Sequence, residues 1–246
     1  MKTYGLIGYR LSHSFSKKYF TEKFKAEGIT DSEYENFQLD SIEEFPSLIK
    51  STAILKGLNV TIPYKEQIIP YLNDCDPAAK EIGAVNVIKI EDDGALIGYN
   101  SDYYGFKDTL SAFIHHSFKD KKALVLGTGG AAKAVVTALK HLNIQFQYVS
   151  RNKNKNILSY NEIDKAIILS HTIIINTTPL GMYPDVNSFP DIPYEFLTPE
   201  HYLYDLVYNP EETVFMRKGQ EQGSHTLNGL PMLIGQAEKA WEIWNS

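Results

Sequence analysis

The stretch Ala123-Leu124-Val125-Leu126-Gly127-Thr128-Gly129-Gly130-Ala131-Ala132 decides the fold. Four apolar residues make a compact strand, the glycines turn the chain, and an alanine-rich helix runs on from about Ala131 to Leu142. The turn fits G-x-G-x-x-A. In that pattern Gly127 permits the tight turn, Gly129 lets the backbone approach a pyrophosphate, and Ala132 keeps the helix close to the strand. Backbone N–H groups at the helix start, from Gly127, Thr128, Gly129, Gly130 and Ala131, then face the anion. A bare glycine pattern reads equally as an ordinary tight turn; a strand before it and a helix after it favour dinucleotide binding.

Working outward, the following strand, Phe146 to Val149, ends where a dinucleotide fold reads the adenosine ribose. An NAD site usually carries Asp or Glu there. Here the chain continues Ser150-Arg151-Asn152-Lys153-Asn154-Lys155, without an acid. Arg151 and Lys155 suit a ribose 2′-phosphate, and Arg151 can stack on adenine. The expected cofactor is therefore NADP rather than NAD, with Ser150 at the same strand end; the bland alternative is a solvated basic loop.

The glycine loop lies in mid-chain. At about 150 residues per domain, a chain of 246 residues allows one large domain or two small ones, and the loop's position favours two. Before it, strand-like runs at Tyr4–Tyr9, Glu35–Leu39 and Leu55–Ile62 alternate with helix-like runs at Ser16–Glu27 and Ile42–Lys50. Asp92-Asp93-Gly94 between Val85–Ile90 and Ala95–Tyr99 signals a hairpin. Past Asp102 a helix reaches Ile114. After the loop come strands at Thr172–Asn176 and Tyr202–Val207, a helix candidate at Asn161–Ile168 and a helical tail from Leu230 to Trp244. Alternation of this kind predicts two α/β domains with mostly parallel sheets, the second of Rossmann type, with a cleft between them.

Composition excludes several classes. Hydrophobic residues make up 43% and charged residues 22%, ordinary for a globular chain. A net charge of −6 argues against broad nucleic-acid or acidic-membrane surfaces. No apolar run approaches the roughly 18 residues of a membrane span, and the first apolar run is too short for a secretory signal, so a cytoplasmic protein is expected. The lone Cys75 rules out an intramolecular disulfide and a cysteine-cluster metal site. The seven histidines show no ligand spacing apart from His115-His116, so no metal is expected. Small molecules are the expected partners, and the state is expected to be monomer or homodimer.

The first half carries polar residues beside its strand ends. His13-Ser14-Phe15-Ser16 follows the first strand, Asn59-Val60-Thr61-Ile62-Pro63-Tyr64-Lys65 closes the third, and Ala84-Val85-Asn86 and Tyr99-Asn100-Ser101-Asp102 flank the hairpin. Ligands of open α/β sheets bind beyond the carboxyl ends of strands. Hydroxyls, amides, one cation and one anion suit a polyhydroxylated carboxylate. Singly, each has a bland reading as a helix cap, a turn residue or a surface charge.

Together with Gly8–Ser16, Gly105-Phe106, Asn176–Met182, Tyr204–Pro210 and Asn228-Gly229-Leu230-Pro231-Met232-Leu233-Ile234-Gly235-Gln236, these blocks resemble the shikimate dehydrogenase family, which includes quinate/shikimate enzymes, along nearly the whole chain. The resemblance implies reversible NADPH-dependent reduction of 3-dehydroshikimate to shikimate, on the path to aromatic amino acids. It implies Lys65 and Asp102 as the catalytic pair. Ser14, Ser16 and Thr61 would hold the substrate carboxylate and nearby groups, and Asn59, Asn86 and Gln236 the ring hydroxyls, with Tyr208 at the junction with the cofactor. Asn176, Thr177, Thr178, Val207, Gly229 and Met232 would lie beside NADP. Because Gln236 would have to reach the substrate, the tail is expected to rejoin the first domain, giving 1–102 plus 229–246 for substrate and 103–228 for NADP. The chain departs from the family at Lys17, where proline is common, at Ser101, where threonine is common, and at Lys155, where a second arginine often stands. It is also short between Arg151 and Thr172. Quinate as substrate, or a silent NADP-binding module, stays open; the presence of both Lys65 and Asp102 argues against the latter.

Overall fold

The computed structural model describes residues 1–11, 14–115 and 117–246. Ser12 and His13 of the serine block and His116 of the histidine pair lie outside the described residues. The chain forms two compact units, Met1–Ser101 with Gln236–Ser246, and Asp102–Gly235.

The first unit is built on β1 (Lys2–Gly8), α1 (Phe15–Glu27), β2 (Ser32–Gln38), α2 (Phe45–Ser51), β3 (Leu55–Val60), α3 (Tyr64–Gln67), β4 (Asp74–Cys75), α4 (Pro77–Ile82), β5 (Val87–Ile90) and β6 (Leu96–Tyr99). The strands form one sheet in the order β2-β1-β3-β5-β6-β4. β1, β2 and β3 are parallel, β5 is antiparallel to both β3 and β6, and β4 is parallel to β6. The expected hairpin therefore forms, closed by the bond from Gly94 N–H to the Glu91 carbonyl, with Gly94 at φ 86°. Side chains alternate across β1: Ile7 joins Leu58, Val60, Phe45, Ile68 and Ile88 on one face, while Tyr4 and Leu6 join Phe20, Phe24 and Tyr34 on the other. That second face is closed by Ala237, Ala240, Ile243 and Trp244 from the C-terminal end of the tail. Trp244 donates its indole N–H to the Ile88 carbonyl at 3.0 Å, and a Cβ on Gly57 would sit 2.2 Å from its ring.

Capping residues set the helix bounds. Ser14 accepts from the Lys17 N–H at the start of α1, and Gly28 ends that helix in the left-handed region. Asp76 caps α4, Pro77 occupies its first turn and Gly83 closes it. The polar-apolar rhythm over six residues is too short to reveal α4, but these caps mark it.

The second unit continues with α5 (Ser101–Phe113, which begins one residue earlier, in the first unit), β7 (Lys122–Leu126), α6 (Gly130–His141), β8 (Gln145–Ser150), β9 (Ile157–Ser159), α7 (Lys165–Ser170), β10 (Ile173–Asn176), β11 (Tyr202–Asp205), α8 (Val214–Glu221), β12 (His225–Leu227) and the tail helix α9 (Leu230–Trp244), which crosses into the first unit. All six strands are parallel, in the order β12-β11-β10-β7-β8-β9. The helix anticipated over Asn161–Ile168 is shorter and later. Ser159 and Glu162 form a capping box on a 3-10 turn at Tyr160–Glu162, and Asp164 then caps α7 through the Ile167 N–H. No helix crosses between β8 and β9. Only residues 151–156 link them, which suffices because β9 pairs with just the last part of β8.

Candidate active site

In the first unit the carboxyl ends of β3 and β6 and the start of β5 share one edge of the sheet. Asn59 pairs with Val87, which pairs with Tyr99. One step further out, the Val60 N–H donates to the Asn86 carbonyl at 2.9 Å and the Asn86 N–H to the Tyr99 carbonyl at 3.0 Å. Asn59 and Asn86 are 5% and 4% exposed, so their amides need partners. Asn59 accepts from the Tyr34 phenol at 2.7 Å and donates to the Asn86 carbonyl at 3.3 Å. Asn86 accepts from the Ser101 N–H at 2.6 Å and donates to the Ser101 hydroxyl at 3.1 Å. Ser101 in turn donates to Gln236 Oε1 at 3.2 Å. Ser16 hydrogen-bonds to the Tyr34 phenol, whose pKa burial pushes up. The structure thus brings Ser16, Asn59, Asn86 and Gln236 into one chain of polar contacts through Tyr34 and Ser101. Tyr34 was not singled out in the sequence; it sits on a mostly polar strand, Ser32–Gln38, and carries no motif.

Thr61 follows β3 with its N–H on the Ile7 carbonyl at 2.9 Å, and Lys65 stands half-buried in α3, its carbonyl taking the Val85 N–H at 2.7 Å. Ser14 caps α1, its hydroxyl accepting from the Lys17 N–H at 3.1 Å. Asp102, half-buried, directly follows Ser101 in the first turn of α5.

In the second unit the strand order reverses on either side of β7, and crevices for ligands open at such a switch point. A cleft of about 320 Å³ lies at the carboxyl ends of β7, β8 and β10. Gly127, Thr128, Gly129, Ser150, Arg151, Thr177 and Thr178 line it, with Tyr160, Pro179 and Leu180. Gly127 has φ 108°, and a Cβ there would meet Thr177 Oγ1 at 2.7 Å, so only glycine fits. A Cβ on Gly129 or Gly130 would meet nothing within 4 Å; those two positions leave space rather than relieve a clash. α6 starts at Gly130 with no side chain capping its N–H groups.

Other sequence-predicted residues stand behind or beside this cleft. Gly130 and Ala131 form the exposed first turn of α6. Lys155 lines a neighbouring groove with Lys153, which pairs with Glu162. Asn176 is fully buried: its amide donates to Asp205 Oδ1 at 2.9 Å, and its carbonyl oxygen accepts from the Thr178 N–H and hydroxyl. Val207 is buried, with its N–H on Asp205 at 3.0 Å. Gly229 donates to the Val207 carbonyl, and a Cβ there would lie 2.1 Å from the Leu206 oxygen. Met232 is buried and Tyr208 exposed, 42%. Tyr160 and Asp205 are the features missed in the sequence. Tyr160 carries no motif, and Asp205 shows itself only by burial. Among the described residues no group of three metal-ligating side chains occurs, and no helix is long and apolar enough to cross a membrane.

A parallel sheet in this order, with a glycine turn and an uncapped helix start at its switch point, places the chain among the dinucleotide-binding α/β proteins. Comparison with known proteins narrows that class. The family model for the shikimate dehydrogenase substrate binding domain matches residues 6–88. The shikimate dehydrogenase (NADP(+)) of Clostridium beijerinckii is 42% identical over 256 residues, 99% of this chain and 92% of that one. Shikimate 5-dehydrogenase from Thermus thermophilus, solved with NADP(H) and shikimate, has a TM-score of 0.84 at 29% identity, covering 99% of this chain and 93% of that chain. Quinate dehydrogenase from Corynebacterium glutamicum, solved with NAD, has a TM-score of 0.87 at 25% identity and the same coverage. The chain belongs to the shikimate dehydrogenase family.

Proposed function

We propose that this chain catalyses the reversible NADPH-dependent reduction of 3-dehydroshikimate to shikimate. The observation that carries the reading is the polar network at the first sheet's edge, from Ser16 through Tyr34, Asn59, Asn86 and Ser101 to Gln236. Its hydroxyls and amides retain donor and acceptor capacity for a ring bearing several hydroxyls. The second unit fits the cofactor: open space over Gly129 and Gly130 leaves room for a pyrophosphate, and the β8 end offers Ser150 and Arg151 in the cleft and no acid. Arg151 takes the 2′-phosphate in this reading, Lys155 adds long-range charge only, and Tyr160 walls the adenosine end.

When bound, the nicotinamide supplies the hydride to the ketone carbon. Lys65 then does the acid–base work. Its ammonium stabilises the developing alkoxide and donates the proton to that oxygen; in the oxidation direction neutral lysine takes the hydroxyl proton. Asp102 supplies the carboxylate of the pair. Asn59, Asn86, Thr61 and Gln236 orient the ring, and Ser14 and Ser16 face its carboxylate.

An absorbance assay for NADPH formation with shikimate and NADP+ tests the reading, with parallel arms containing quinate and NAD+. Turnover with shikimate and NADP+ well above the other three combinations supports it. Faster turnover with quinate reassigns the substrate, and faster turnover with NAD+ removes Arg151 from its role.

A further inference from the structure

Asp205 is 0% exposed, and among the described residues its hydrogen-bond partners are neutral donors. Oδ1 accepts from Asn176 Nδ2 at 2.9 Å and the Val207 N–H at 3.0 Å, and Oδ2 accepts from the Thr213 hydroxyl at 2.6 Å. A buried carboxylate without a cation is costly, and three hydrogen bonds sustain this one. The hydrogen bonds show what depends on it. As an acceptor-only group, Asp205 forces Asn176 to present its NH2 inward, which turns the Asn176 carbonyl oxygen towards Thr178 N–H at 3.0 Å and Thr178 Oγ1 at 2.6 Å. Thr178 and Thr177 are one wall of the crevice. On its other side Asp205 fixes Val207, whose carbonyl holds the Gly229 N–H at 3.0 Å, at the start of α9. Through Thr213, which also caps α8 at the Met216 N–H, it anchors a third segment.

We propose that Asp205 is a positioning residue for the cofactor: its ionised carboxylate sets the Asn176 amide and thereby the Thr177–Thr178 rim, and it holds Val207 and Gly229 in register with that rim. The inference rests on the reading of this crevice as the NADP site. Burial, partly offset by the three donors, raises the Asp205 pKa to about 6. The ionisable side chain that senses it is the Tyr194 phenol, pushed up by burial and by the Asp205 charge; it donates to the Pro190 carbonyl and stays neutral. Once protonated, Asp205 is a neutral and weaker acceptor at Oδ1 for Asn176 and Val207, and its Oδ2 proton must turn the Thr213 hydroxyl round, so the rim loosens as pH falls through about 6.

The test is titration of the full chain with NADP+ between about pH 5 and pH 8, for wild type, Asp205→Asn, Thr213→Val and Thr213→Ser, with thermal unfolding of each. At the upper pH Asp205→Asn should bind NADP+ about tenfold more weakly, the worth of a hydrogen bond to a charged group. Towards the lower pH that ratio should shrink to near one. The cofactor's 2′-phosphate also titrates near pH 6, but it does so for both proteins and cancels in the ratio. Thr213→Ser should bind like wild type and Thr213→Val more weakly, while Asp205→Asn keeps or raises Tm because a buried charge is gone. Equal affinity of Asp205→Asn and wild type at the upper pH, a ratio that does not move with pH, or weaker binding of Asp205→Asn matched by a lower Tm of that variant each overturns the proposal. Failure of wild type to bind NADP+ at all overturns the cofactor reading instead.

Discussion

The two strand edges are made from different materials. At the edge of the first sheet side chains do most of the holding: Tyr34 bonds Asn59, Asn86 bonds Ser101 and Ser101 bonds Gln236, with the Asn86 main-chain carbonyl joining the two halves. At the edge of the second sheet it is mostly backbone. Gly127 turns at φ 108°, Gly129 and Gly130 present open space, and the polar side chains Asn176 and Asp205 are spent behind the rim. On the proposed reading, the difference follows from what each would grip. A small polyhydroxylated ring is told apart by individual hydrogen bonds, so its site needs many directed groups. A pyrophosphate needs close N–H groups and no side chain in the way. Substitutions at the first edge should therefore disturb substrate and chemistry, and substitutions at the second should disturb the cofactor.

The largest effect is expected from Lys65→Ala. Turnover should fall by about 10²–10⁴-fold or more, as when a general acid–base group is lost. Affinity for NADP+, measured by titration, should stay within about twofold, an energy difference of roughly 0.4 kcal/mol. Weakened NADP+ binding would show that the two edges are not separable in this way.

A pair of glycines sharpens the comparison within the second edge. Gly229→Ala places a Cβ 2.1 Å from the Leu206 oxygen, so it should lower stability by roughly 1–3 kcal/mol, visible in thermal unfolding. Gly129→Ala meets no neighbour within 4 Å, so Tm should hold while NADP+ binding weakens. A fall in Tm for Gly129→Ala would mean that its glycine serves the fold. Arg151→Ala should then weaken NADPH about tenfold to a hundredfold, the worth of charged hydrogen bonds, and NADH hardly at all. Lys155→Ala should do much less, because Lys155 lines a different groove. Equal losses for NADPH and NADH would remove the 2′-phosphate from Arg151.

The same contrast explains what could be read beforehand. Glycines that must stay glycine leave a sequence pattern, so the turn at Gly127–Ala132, its strand and its helix were legible, as was the hairpin around Gly94. The polar blocks around Asn59 and Asn86 were legible as residue types at strand ends. Their mutual bonds were not, because they join residues far apart in the chain, as Tyr34 to Asn59 and Ser101 to Gln236 do. Asp205 was illegible for another reason. An Asp ending a strand looks like any turn acid until burial and three neutral donors single it out. The short strands β4, β9 and β12, of two or three residues, carry too little periodicity to be read, and the bond pattern of their neighbours recruits them. The helix expected from Asn161 starts only at Lys165, because Ser159 and Glu162 satisfy each other and close a 3-10 turn first.

The smallest effect is the most specific to the first edge. Tyr34→Phe keeps the ring, which stacks on Phe20 at 4.7 Å between centroids, and removes only the hydroxyl. Asn59 Oδ1 then loses its donor at 2.7 Å, and Ser16 loses its partner. The cost in stability should be about 1 kcal/mol, that of one net hydrogen bond. The functional trace should be clearer than that number: a raised KM for shikimate with kcat nearly kept, and NADP+ affinity unaltered. The reason is that, on the proposed reading, Tyr34 touches neither reacting group and would set how Asn59 and Ser16 face the ring. A fall in kcat with unchanged KM would instead place the Tyr34 hydroxyl in the path of the proton.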